Sequence, residues 1–70
     1  IMTLQEYLNI KYSKGEQQHI IRINASSEEL TSLENDGNLI NVKELNISTN
    51  LLASLKGIEL MPNLERIDIY

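Results

Sequence analysis

Seventy residues allow one domain, and a chain this short buries only about 60% of the surface its unfolded form exposes. With no cysteine, neither disulfides nor thiolate metal sites can support it. Six basic against ten acidic residues (net charge −4), no Phe or Trp and three Tyr argue against a nucleic-acid binder, and no apolar run approaches the ~20 residues that span a bilayer.

The opening residues, Ile1 to Glu6, have no basic segment followed by a long apolar one. No signal peptide is therefore expected, and a cytoplasmic location is slightly favoured. Thr3 and Glu6 stand three apart as a capping box, with Leu4, Tyr7 and Leu8 apolar at helical spacing, which predicts a helix. Ser13-Lys14-Gly15-Glu16 reads as a turn, and a strand is expected from His19 to Asn24. Ser26 and Glu29 offer a second capping box ahead of Leu30 and Leu33. The spacing predicts a short helix over about 27–34, ended by Asn35-Asp36-Gly37.

From Ile20 onward the chain repeats itself. Residues 22 apart match in apolar character: Ile20, Val42 and Leu64; Ile23, Leu45 and Ile67; Ala25, Ile47 and Ile69; Leu30 and Leu52; Leu33 and Leu55; Leu39 and Met61. The clearest unit runs Leu39-x-x-Val42-x-x-Leu45-x-Ile47-x-x-Asn50-x-Leu52-x-x-Leu55-x-x-Ile58-x-x-Met61. A two-residue step such as Leu45-x-Ile47 puts both side chains on one face of a strand, and three-residue steps suit a tight return. The expected core therefore includes Val42, Leu45, Ile47, Leu52, Leu55, Leu64 and Ile67, with parallel strands near 20–24, 44–48 and 66–69.

This pattern resembles the 22-residue leucine-rich repeats of the internalin and SDS22-like type. The resemblance covers about residues 17–70. It departs from the pattern at Glu28, where an asparagine is expected, and at Asp36, which replaces the apolar residue that Ile58 supplies. It implies an α/β solenoid: a short leucine-rich repeat stack with parallel strands on one face. Residues 1–16 would form an N-terminal helical cap, and 17–70 about two and a half repeats. It also implies that the amide of Asn50 bonds backbone groups where the strand bends away. The residues by themselves leave open an ordinary α+β domain whose spacing coincides.

Side chains between the inward positions would form cross-strand rows: Arg22, Glu44 and Arg66; Asn24, Asn46 and Asp68; Ser26, Ser48 and Tyr70. Arg22, Asn24, Glu44, Asn46, Ser48, Arg66, Asp68 and Tyr70 are the candidate partner-binding residues. Three five-residue strands cover about 230 Å², against the ~800 Å² per partner of a standard interface. The expected function is a protein-interaction module acting through the strand face or sides. The alternatives are a self-assembling structural protein joined edge to edge, with a homodimer through the C-terminal strand, and a complete small bacterial or phage inhibitor. A fragment of a longer repeat protein fits equally.

No catalysis, cofactor or metal is expected. His19 is the single histidine and lacks a second ligand at a suggestive spacing. Ser26 and Ser48 have no implied base, and the three glycines, Gly15, Gly37 and Gly57, are scattered turn residues. Asn24-Ala25-Ser26 and Asn46-Ile47-Ser48 match the glycosylation sequon, a duplication that the repeat itself explains. Ile40, Leu51 and Leu60 break the polar pattern as candidate exposed apolar contacts.

Overall fold

The computed structural model describes residues 2–70; Ile1, the first residue of the expected cap, lies outside the described residues. A short strand β1 (Met2–Thr3) leads into helix α1 (Leu4–Lys11). The Thr3 hydroxyl accepts from the Glu6 amide at 3.2 Å, and Glu6 Oε1 accepts from the Thr3 amide at 2.8 Å, so the capping box forms as the spacing predicts. The segment expected to be a turn is instead a one-turn helix, α2 (Lys14–Gln17). Ser13 and Glu16 build a second capping box there, at 2.9 and 3.2 Å.

Strands β2 (Arg22–Asn24), β4 (Glu44–Asn46) and β5 (Arg66–Asp68) form a parallel sheet in the order β2-β4-β5. The register is 22 residues at each step: Arg22 beside Glu44 beside Arg66, Ile23 beside Leu45 beside Ile67, Asn24 beside Asn46 beside Asp68. A single 3₁₀ turn, Ile58–Leu60, lies between β4 and β5.

The helix expected over 27–34 does not form. Ser27 and Glu29 take left-handed backbone angles, φ 56° and 58°, which break a right-handed helix. The Ser26 hydroxyl, needed for the cap, donates to Asn24 Oδ1 at 2.9 Å instead. Leu30–Ser32 becomes strand β3 and pairs in parallel with β1, making a second, two-stranded sheet.

The expected solenoid is corrected by this arrangement. The chain makes a compact body of 27 × 24 × 17 Å with two short helices and two small parallel sheets, not a stack of repeats. The reason lies in the connecting segments. The 22-residue period fixes which strand residues lie side by side, but the returns differ: the first contains β3 paired to the N-terminal segment, and the second contains irregular backbone and the 3₁₀ turn. One core cluster runs from Leu4 to Met61 and joins α1 to both sheets.

Val42, Leu45 and Ile47 are buried as expected. Leu52, Leu64 and Ile67 are half-buried against the core, and Leu55 is 39% exposed, contrary to the spacing. The apolar layer is thus complete under β2 and β4 and thin beneath β5.

Candidate functional site

Alternation along β2, β4 and β5 buries Ile23 and Leu45, half-buries Ile67, and turns Arg22, Asn24, Glu44, Asn46, Arg66 and Asp68 to the opposite face. The structure brings these six candidate residues together as two adjacent rows. Arg22 Nε donates to Glu44 Oε2 at 2.5 Å, and Arg66 Nε donates to Asp68 Oδ1 at 3.4 Å. The two arginine side chains are 80% and 65% exposed, so these pairs are surface contacts worth about 0–1 kcal/mol each. They order the strip more than they stabilise it.

The asparagine row is fixed from one side only. Asn24 Oδ1 accepts from the Ser26 amide and hydroxyl, and Asn46 Oδ1 accepts from the Ser48 amide at 3.1 Å. These local turns orient the carboxamides through Oδ1 alone, on an exposed Asn24 and a half-buried Asn46. The strip therefore offers two guanidinium groups, two carboxylates and two amide donors, with no net charge on a chain of net charge −4.

Ser48 and Tyr70 do not continue the strip. Strands β4 and β5 end at Asn46 and Asp68, past which single backbone bonds continue the contact, from the Ser27 amide to the Ser48 carbonyl and from the Thr49 amide to the Tyr70 carbonyl. Ser48 is buried, and its hydroxyl donates to the Asp68 carbonyl at 3.4 Å. Tyr70 is 88% exposed beyond the end of β5. Ile40, Leu51 and Leu60 are exposed, as their places in the pattern suggest.

One cleft adjoins the sheet, and a smaller one lies between the loop after β3 and the second return. The larger, about 380 Å³ and open to solvent, is walled by Tyr12, Glu16, His19, Ile20, Ile21 and Arg22, so it adjoins the strip through Arg22. At the end of α1 the Lys11 ammonium donates to the Tyr7 hydroxyl at 3.2 Å, and this bond holds the lysine pKa above its ordinary value. The Tyr7 hydroxyl in turn donates to the Asn24 carbonyl at 3.0 Å, tying α1 to the free side of β2.

Sequence reasoning missed one polar cluster. Gln17 is fully buried: its Oε1 accepts from Gln5 at 2.8 Å, and its Nε2 donates to Asn9 and to the Tyr12 carbonyl. Gln5 Oε1 accepts from the Asp36 amide at 2.9 Å, so the cluster pins both helices to the loop after β3. Local pattern carries no signal for this, because Gln5 is 12 residues from Gln17 and 31 from Asp36. Among the described residues, no group of three or more His, Asp or Glu side chains is placed to hold a metal ion, and no helix is long and apolar enough to cross a membrane. No family model, curated protein or solved structure matches the chain.

Proposed function

We propose that the strand face formed by Arg22, Asn24, Glu44, Asn46, Arg66 and Asp68 is a docking strip for another protein, and that the chain binds rather than catalyses. The observation that carries the reading is the in-register alignment of exposed arginines, carboxylates and half-satisfied amides across three parallel strands. Such a surface matches a partner that presents paired donors and acceptors along an extended segment. The strip alone is smaller than a standard interface. A partner would continue past Arg22 into the cleft walled by Tyr12 and His19, where apolar surface from Ile20 and Ile21 is added.

A photo-crosslinking residue at Asn24 tests this, compared with the same residue at the exposed Ser54 of the second return. In extracts of the source cells, the expected result is a discrete adduct from position 24 alone. Excess unlabelled wild-type chain should compete it away, and Asn46→Arg chain should not. Equal adducts from both positions, or competition by the Asn46→Arg chain, would overturn the reading.

A further inference from the structure

Strand β5 has β4 on one side and, among the described residues, no strand on the other. Its hydrogen bonding sets which backbone groups are open. The Arg66 amide donates to the Lys43 carbonyl at 3.0 Å, and the Asp68 carbonyl accepts from the Ile47 amide at 3.0 Å. Even-numbered residues thus turn their backbone to β4, and by alternation the N–H and C=O of Ile67 point out to the open edge. An edge of this kind recruits another strand. The half-buried Leu64 and Ile67 and the exposed Ile69 beside it leave apolar surface next to those groups.

We infer that this edge pairs with the same edge of a second copy, as an antiparallel two-fold contact centred on Ile67. Centred there, Ile67 and its symmetry mate exchange both backbone hydrogen bonds, as the outward direction of their N–H and C=O requires. Arg66 then stands opposite Asp68 of the other copy, and Asp68 opposite its Arg66. These two crossings are non-hydrogen-bonded pairs, the closer kind at about 4.5 Å between Cα atoms, and both join opposite charges. Tyr70 falls across from the half-buried Leu64 of the mate.

Competing registers lose this complementarity. Centring on Arg66 or on Asp68 sets like charges face to face, and centring on Glu65 or Ile69 parts Arg66 from Asp68. Parallel growth, with β2 of the next copy added to β5 in the same 22-residue register, puts Arg22 beside Arg66. On that edge, moreover, the Asn24 carbonyl is already taken by Tyr7. The charge pattern therefore selects a closed pair over an open filament.

Sedimentation equilibrium on the 70-residue chain tests the contact, with circular dichroism to confirm folding. Wild type should form a dimer of about twice 8.0 kDa. Arg66→Asp, at an exposed side chain, and Asp68→Arg, at a half-buried one on the same polar face, should each stay folded and weaken the dimer about tenfold, because every crossing becomes repulsive. Mixing the two variants should restore association as a one-to-one heterodimer, since one copy then carries two acids and the other two arginines. A wild-type chain that is monomeric at all concentrations, or a mixture that associates no better than its components, would overturn the inference.

Discussion

The carboxamide of Asn50 joins Ala25 to the far side of the same layer. Its Nδ2 donates to the Ala25 carbonyl at 2.8 Å and to the Ile47 carbonyl at 2.9 Å. Its Oδ1 accepts from the amides of Glu28 and Leu30, each at 3.0 Å. One side chain thereby satisfies backbone groups of two successive turns where the chain leaves β2 and β4. Asn50→Ala strands these groups, and a buried unsatisfied polar group costs about 1–3 kcal/mol. The expected loss is about 3 kcal/mol in urea unfolding, a large share of the stability of a domain this size. Under conditions where the variant remains folded, its dimer constant should equal that of wild type. An unchanged urea midpoint would mean that Asn50 does not hold the two turns together.

Gly57 and Gly37 separate strain from space. Both have left-handed φ, +111° and +81°. A Cβ on Gly57 would lie 2.4 Å from the Leu33 carbonyl oxygen, whereas one on Gly37 meets nothing within 4 Å. Gly37→Ala carries the conformational cost alone, about 1–2 kcal/mol. Gly57→Ala adds a collision with backbone that cannot swing away, for a total of about 3 kcal/mol or more. Thermal melts of the two variants should rank in that order, and equal losses would show that the contact with Leu33 does not matter.

The parts that sequence made legible were those set by near neighbours or by the period. Thr3 and Glu6 announced α1 because the capping box is local, and the matching of Ile23, Leu45 and Ile67 gave the parallel register. The region from Ser26 to Leu33 was misread because a local box, Ser26 with Glu29, competed with a distant one. Asn50 takes the Glu28 and Leu30 amides from 20 or more residues away, and β1 supplies the strand partner. The period could not show how the returns fold, so the solenoid did not follow from it. Within the candidate site, the rows through Asn24 and Asn46 were readable by alternation. Ser48 was misplaced because the strand ends at Asn46 and the alternation ends with it.

Leu45 and Leu55 carry similar places in the pattern and opposite burial. Leu45 is 1% exposed in the middle strand, and Leu55 is 39% exposed in the second return. Leu45→Ala should leave a cavity beneath β4 and cost about 2–5 kcal/mol. Leu55→Ala loses only partial burial, so its cost should stay below about 1 kcal/mol. Comparable losses in chemical denaturation would place Leu55 back in the core and contradict the thin apolar layer near β5.

The capping box of α2 should make its end of the chain acid-sensitive. Glu16 has its pKa held below its ordinary value of 4.5 by the hydrogen bonds from the Ser13 amide and hydroxyl, which favour the carboxylate. A carboxylate with a lowered folded-state pKa adds stability above its unfolded value, and that contribution disappears as pH falls through the folded value. The sign is therefore loss of α2 capping below pH 4.5, with none expected between pH 6 and 8. Carbon-detected NMR titration of the Glu16 carboxyl should give a midpoint below 4.5, and Ser13→Ala should move it upward by removing the hydroxyl. The urea-midpoint deficit of Glu16→Ala relative to wild type should be present at pH 7 and shrink as both chains are taken to acid. A Glu16 midpoint that ignores Ser13→Ala, or a deficit that grows in acid, would show that the box does not stabilise the ionised side chain.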